Sequence, residues 1–395
     1  MLQSESRDDG GLCFAMGGGG ARGAYQVGVL RHIARRHPAL AVPLITGVSA
    51  GGINAAHLAN HTGELPEKVE ALVELWRSLT VEKVFRVDNW ALAKGLLQWG
   101  VQLSLLGGRK WGPRVRGLVD TQPLREFLCN AFGCEEEKLA GVDENIRRGT
   151  LRAVALSTTS YSTGRTITWC QGAELQHWER PNRVGRPAKL EVAHVMASAA
   201  LPLFFPAVQI DGNWYGDGGI RLHAPLAPSI HLGAERILAI STRYGRTIDE
   251  AELPNFSGYP PPAQVAGILM NAIFLDLLDQ DAVQLERINR LLESLPQKTR
   301  GELRQVDILV VRPSVDLGKL ASEYEPTLPG LFRFLTRRLG TRGSRSSDLL
   351  SLVMFQPDYI ERLIEIGERD AAAQDEALEA FLRRSALTSS AGPPG

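Results

Sequence analysis

The stretch Pro43-Leu44-Ile45-Thr46-Gly47-Val48-Ser49-Ala50-Gly51-Gly52-Ile53-Asn54-Ala55-Ala56 constrains this chain more than any other. An apolar run ends in Gly-x-Ser-x-Gly and continues into small residues, which reads as strand, sharp turn and helix with Ser49 at the tip. Gly47 and Gly51 suit a turn so tight that a Cβ at either position would meet the adjoining strand or helix. Ser49 Oγ is then presented outward at a helix N-terminus, where backbone N–H groups and the helix dipole favour developing negative charge. Taken alone, the pattern also fits a glycine-rich turn that happens to carry a serine.

Upstream, Leu12 to Met16 is a short apolar run that stops at Gly17-Gly18-Gly19-Gly20-Ala21-Arg22-Gly23, and a helix is predicted from about Ala24 to about Arg36 with Val27, Leu30 and Ile33 or Ala34 facing inward. Gly18, Gly20 and Gly23 match the dinucleotide fingerprint G-x-G-x-x-G. That fingerprint needs an acidic residue about 20 positions further on, yet no Asp or Glu stands between Asp9 and Glu64. The glycines fit an oxyanion hole better. As Ser49 attacks a carbonyl, backbone N–H groups of Gly18, Gly19 and Gly20 can face the charged oxygen with no side chain in the way. Two parallel strands joined by a right-handed crossover lie side by side, so both loops open into one crevice.

Composition bounds the rest. With 395 residues, 44% of them hydrophobic, and Lys+Arg balancing Asp+Glu at 44 each, the chain has enough apolar material for a large core and no global charge that calls for nucleic acid. Its four cysteines form no CxxC pair, the first residues are polar rather than a leader, and no run of 18 apolar residues occurs. A cytoplasmic protein is expected, touching membranes at most peripherally. No metal-ligand spacing such as H-E-x-x-H is present, and neither metal nor cofactor is expected.

From Gly63 to Gly149 the pattern is mostly helical, clearest over Glu67 to Leu79. Trp90 to Trp111 is rich in Leu and Trp with Arg86, Arg109, Lys110, Arg114 and Arg116 around it, which suits either an interfacial membrane helix or a buried one. Leu151 to Thr158 and Arg165 to Cys170 read as a hairpin, Glu191 to Ala199 as a short helix, and Leu201 to Pro206 as an irregular apolar wall over the crevice. A turn at Asp211 to Asn213 leads into Gly216-Asp217-Gly218-Gly219. Further on, Arg236 to Ser241 and Val306 to Val311 read as strands that complete the sheet, and Ala263 to Leu295 as one helix with Ile268, Leu269, Ala272, Ile273, Leu275, Leu278 and Val283 on its apolar face. Asn255 to Pro262 reads as a loop, Phe332 to Arg345 as an arginine cluster, Pro357 to Arg384 as a closing helix, and Ser385 to Gly395 as a loose tail.

Asp217 is the natural partner of Ser49, as a carboxylate held by a glycine turn that can take the serine proton; an Asp-Gly pair is also a common plain turn. In the order Ser, Asp, His the one serious histidine candidate is His223, close behind Asp217.

Together, Gly18-Gly19-Gly20-Ala21-Arg22-Gly23, Gly47-Val48-Ser49-Ala50-Gly51 and Asp217-Gly218-Gly219, with Ala197 to Pro206 between them, resemble the signatures of the patatin-like phospholipases. Gly17 departs from the pattern, standing where many members have Asp. The resemblance implies a three-layer α/β/α sandwich with a mostly parallel sheet, a catalytic region over 12–228, and a largely helical C-terminal extension over 229–395. It also implies a Ser49–Asp217 dyad without histidine, acting on lipid acyl esters at a membrane surface, with Arg22, Gly23, Gly47, Gly51, Gly218 and Gly219 as motif support. A carboxylesterase or acyl-thioesterase with the same dyad, and a nucleotide-binding or regulatory protein with an idle serine, are the alternatives.

Overall fold

The structure, a computed structural model, describes residues 11–86, 117, 119–173, 175–202, 204–252, 262–301, 303–325 and 348–383. Its strands are β1 (Leu12–Met16), β2 (Leu44–Val48), β3 (Ala153–Ser160), β4 (Thr166–Gly172), β5 (Glu179–Arg180), β6 (Arg183–Pro187), β7 (Val208–Ile210), β8 (Asn213–Asp217), β9 (Arg236–Ile240) and β10 (Asp307–Val311). They form one sheet in the order β10-β9-β1-β2-β3-β4-β6-β5, and the β7–β8 hairpin joins through β8 to β3. From β10 to β3 all neighbours are parallel, whereas β4 runs antiparallel to β3.

Both faces of the parallel part are covered, which is why β1, β2 and β9 are near-continuous apolar runs rather than alternating ones. Side chains still alternate between two cores. Leu12, Phe14 and Met16 of β1 pack with the helices α1 (Gly23–Arg36), α2 (Ala50–Asn60) and α3 (Leu65–Arg77), while Cys13 and Ala15 pack on the opposite face with Leu278, Ala282 and Leu285. The result is an α/β/α sandwich with helices added by the C-terminal part.

One of those helices, Pro357–Ala373, lies against α1 at backbone contact. A Cβ at Gly28 would stand 2.0 Å from the Ile364 carbonyl oxygen, and one at Gly367 would stand 2.2 Å from that of Tyr25. Salt bridges from Arg31 to Glu368 and from Arg77 to Glu361 flank the seam.

Three sequence readings change. The stretch read as one helix from Ala263 to Leu295 is two, Pro262–Phe274 and Asp276–Ser294, with the break at Leu275. Asp276 and Asp279 pair with Arg243 and Arg312 beyond the ends of β9 and β10, so the second helix starts where those cations hold it. Of the expected apolar face, Leu275 and Leu278 are buried, but Ile268, Leu269 and Val283 are exposed. The closing helix likewise breaks at Gln374, before Asp375 reaches back to His32. β5 and β6 carry arginine, glycine and proline in place of the β-branched residues that mark strands, and gave no sequence signal. Trp90 to Trp111 with its later basic flanks, the Asn255 loop, the Phe332 to Arg345 cluster and the Ser385 tail lie outside the described residues.

Because the Gly28–Ile364 approach leaves no room for a methyl group, Gly28→Ala should push the two helices apart and cost about 1–3 kcal/mol in urea unfolding. A variant as stable as the parent would mean the seam is loose.

Candidate active site

The site is assembled along one edge of β3. β2 pairs with β3 as far as Val48 opposite Ser157, and β8 arrives from the other direction and pairs as far as Asp217 opposite Thr158. The two strands therefore abut end to end. Ser49, the next residue after Val48, and Asp217 are brought together although 168 residues apart in the chain. Thr159 Oγ1 donates to the Asp217 carbonyl at 2.8 Å, and Gly218 packs so close to the Ser157 carbonyl that a Cβ would come within 2.3 Å of it.

Ser49 sits at φ 56° and ψ −129° at the N-cap of α2, a conformation that costs a non-glycine residue roughly 1–3 kcal/mol. Its surroundings hold it there. The Ser49 N–H donates to Ser198 Oγ at 3.1 Å, and Ser198 in turn donates to the Ser157 carbonyl at 2.8 Å. Gly51 and Gly47 are required by the crossing itself: a Cβ on Gly51 would lie 2.3 Å from the Met16 carbonyl, and one on Gly47 would lie 2.3 Å from that of Gly51.

The glycine loop after β1 is oriented by its carbonyls. Gln26 Nε2 donates to the Gly17 carbonyl at 2.9 Å, and Thr242 Oγ1 donates to that of Gly18 at 2.6 Å. In a trans peptide the N–H points opposite to the C=O, so these bonds turn the Gly18 and Gly19 N–H groups the other way. Neither donates to an acceptor among the described residues. Gly18 is the residue beside Ser49, its Cβ position being 3.1 Å from Ser49 Cβ. Gly19 and Gly20 have φ of 148° and 56°. The space over Gly20 is taken by the Leu352 carbonyl, 2.0 Å from its Cβ position, where a dinucleotide loop would need it for pyrophosphate.

Asp217 is fully buried. Its Oδ1 accepts the Gly219 N–H at 2.9 Å, and its Oδ2 has no hydrogen-bond partner among the described residues. Burial pushes the carboxyl up to about 7, while the Ser49 hydroxyl and the Gly219 N–H pull the other way. Among the described residues the Ser49 hydroxyl makes no formed hydrogen bond to the carboxylate, and catalytic bonds of this kind often tighten only when substrate binds. No histidine joins them. His223 is exposed, His57 and His194 are buried and bonded to the Lys68 carbonyl and the Glu191 N–H, and none of the eight hydrogen-bonds to Ser49 or Asp217.

An apolar cleft opens over Ser49, lined by Ile53, Leu79, Leu201, Phe205, Phe274 and Leu352 among others. Leu201 and Phe205 are the irregular wall read from the sequence.

The family model for patatin-like phospholipases matches residues 14–230 of this chain, more than half of it. The chain belongs to the patatin-like phospholipase family. Among solved structures it is similar to human GIVD cytosolic phospholipase A2 in complex with methyl γ-linolenyl fluorophosphonate, at 12% identity and a TM-score of 0.46, over 98% of this chain and 61% of that one. It is also similar to VipD from Legionella pneumophila, at 12% identity and a TM-score of 0.41, over 94% of this chain and 67% of that one. It therefore spans about two thirds or less of their length. No curated protein sequence matches it.

Not every motif residue of this patatin-like chain faces the serine. Arg22 is buried away from it, with Nε on Ser351 Oγ at 2.7 Å and Nη2 on Asp348 Oδ1 at 2.8 Å, which fastens the glycine loop to the helix Asp348–Val353. Gly23 lets α1 pass Ala50 and Trp76, and Gly219 gives room to Phe274. Sequence reasoning missed Thr242, Gln26, Thr159 and the role of Ser198, since single polar residues in apolar runs carry no local signal. Phe274 was missed because the helix break that aims it into the cleft was not foreseen.

The burial of Asp217 has a stability consequence with a definite sign. A carboxyl raised from 3.8 to about 7 leaves the fold most stable when protonated; that contribution is complete below about pH 4 and lost as the pH rises through about 7. Asp217→Asn should therefore match the parent near pH 4 and exceed it by roughly 1–3 kcal/mol at pH 8 in urea unfolding. A variant less stable at pH 8 would show that the carboxylate is not desolvated.

Proposed function

We propose that this chain hydrolyses the fatty-acyl esters of phospholipids or lysophospholipids through an acyl-enzyme on Ser49, with Asp217 as the only general base and acid. The observation that carries the reading is the abutment of β2 and β8, which sets a strained serine, itself buried but bordering the apolar cleft, beside a buried carboxyl whose Oδ2 has no hydrogen-bond partner among the described residues. With substrate bound, the Ser49 hydroxyl gives its proton to Asp217 as Oγ attacks the ester carbon. The oxyanion is received by the Gly18 and Gly19 N–H groups, with Gly20 completing the loop; one such donor is typically worth ~3 kcal/mol in the transition state. Asp217 then gives that proton to the departing alcohol; in the second half it takes a proton from a water as the water oxygen attacks the acyl carbon, and returns it to Ser49 Oγ as the acyl–Oγ bond breaks and the fatty acid leaves. A free carboxylate is a weak base at neutral pH, and the burial that raises Asp217 to about 7 brings it into a useful range. The apolar lining of the cleft suits an acyl chain.

The proposed contact with the membrane is peripheral. Among the described residues no helix is long and apolar enough to cross a membrane. The helix Pro262–Phe274 contains no charged residue, exposes Val265, Ile268 and Leu269 by 45%, 55% and 55%, and ends at Phe274 in the cleft. An exposed apolar face on a helix whose last residue lines the substrate cleft suits a lipid surface, at about 1.5–3 kcal/mol for each large side chain that enters it.

Two measurements test this reading. A fluorophosphonate should label Ser49, at a rate that rises with pH through an apparent pKa near 7, because the deprotonated carboxyl is the base. Labelling elsewhere, or at a rate flat from pH 5 to 9, contradicts the dyad. Ile268→Asp with Leu269→Asp should lower vesicle binding and the rate on vesicle lipid about tenfold relative to the rate on a short soluble ester; equal loss on both substrates would remove the docking role.

A further inference from the structure

A second concavity lies two to three strand spacings from β2, roughly 10–14 Å along the sheet, and shares no lining residue with the acyl cleft. It is lined by Arg180, Arg183 and Arg221 together with Thr166, Asn182 and His223. Many arginines of this electrically neutral chain sit against carboxylates, as in Arg22–Asp348, Arg77–Glu361, Arg125–Glu137 and Arg243–Asp276, while others, such as Arg152 and Arg304, bond backbone carbonyls. Among the described residues none of the three guanidinium groups is within ion-pair distance of an acid, and the contact they do make, Arg180 Nη1 to the Glu179 carbonyl, is to backbone.

The neighbouring acids already have partners of their own. Glu179 is taken by Arg165 at 2.7 Å, and Asp281, the carboxylate nearest in influence to Arg183, accepts the Leu226 N–H at 2.8 Å. Arg180 and Arg183 are moreover direct cross-strand partners on β5 and β6. Like charges opposite one another on adjacent strands repel, and an anion held between them removes the repulsion. The third arginine is fixed by its backbone: the Arg221 N–H donates to the Gly218 carbonyl at 3.2 Å, and its own carbonyl accepts Thr166 Oγ1 at 2.9 Å. Thr166 is in turn the register partner of Arg183. Three arginines without an ion pair among the described residues thus line one concavity, and their planar donors match the oxygens of a phosphate group.

We propose that this concavity, formed by Arg180, Arg183 and Arg221, binds a phosphate group. Arg221 stands four residues after Asp217 at the end of the turn Gly218–Ile220, so a phosphate bound there sits on the same segment that carries the proposed base. The phosphate belongs either to the headgroup of the lipid being cleaved, which rests on the proposed lipid hydrolase activity, or to a free phosphate-bearing ligand.

The test uses the full chain, the triple variant Arg180→Gln/Arg183→Gln/Arg221→Gln and Arg221→Gln alone, each checked for fold by circular dichroism. Calorimetric titration with inorganic phosphate at low ionic strength should give saturable binding by the parent, weakened by salt, about tenfold weaker in the triple variant and about threefold weaker in the single one. In a second arm, kcat/KM on a lysophospholipid is divided by that on an uncharged monoacylglycerol. A headgroup site predicts a ratio that falls about tenfold in the triple variant; a free-phosphate site predicts an unchanged ratio with the loss of phosphate binding intact. No saturable binding by the parent, or equal binding by the folded variants, overturns the proposal. If the parent cleaves neither lipid, the hydrolase reading falls while the titration still decides the phosphate site.

Discussion

Everything in this structure turns on the edge of β3 where two strands meet head-on. A strand edge ordinarily takes one neighbour along its length; here β2 leaves it at Ser157 and β8 takes it up at Thr158. The junction forces both chains to turn out of the sheet at the same place. One turns at Ser49 with a positive φ, the other at Asp217 into a short turn capped by its own carboxyl. Burying that carboxyl with one N–H bond is a cost to the fold, and the raised pKa is the same cost seen in proton affinity.

The glycine loop is held just as deliberately, though from further away. Gln26 and Thr242 fasten the Gly17 and Gly18 carbonyls, and Asn54 connects Gln26 to Trp76 through bonds of 2.9 and 2.7 Å. Arg22 ties the loop to Asp348 and Ser351, whose helix also supplies Leu352 and Val353 to the acyl cleft. The part of the chain beyond residue 230 therefore also shapes the site, through β9, Thr242, Phe274 and the helix Asp348–Val353.

What was legible beforehand follows from the kind of signal each element leaves. Gly-x-Ser-x-Gly, the glycine run and Asp-Gly-Gly could be read because tight backbone crossings admit only glycine, and the strands beside them are unbroken apolar runs. Their order along the chain brought out the family, and the parallel sheet came with it. Three things left little trace. The break at Leu275 depends on ion pairs to Arg243 and Arg312, some thirty residues away on either side, and local periodicity cannot register them. β5 and β6 are pinned by their neighbours rather than by propensity. The arginines they carry were unremarkable in sequence and gain meaning only when the fold brings Arg221 to the same concavity.

The central claim is that Ser49 and Asp217 act as one unit with no third residue. The most direct measurement is kcat/KM on a short soluble ester for Ser49→Ala, Asp217→Asn and the double variant, each shown to be folded. The account predicts three nearly equal losses, on the order of 10³-fold or more, because removing either member already disables the pair. A double variant whose loss is the product of the two single losses, or an Asp217→Asn enzyme within tenfold of the parent, would contradict it.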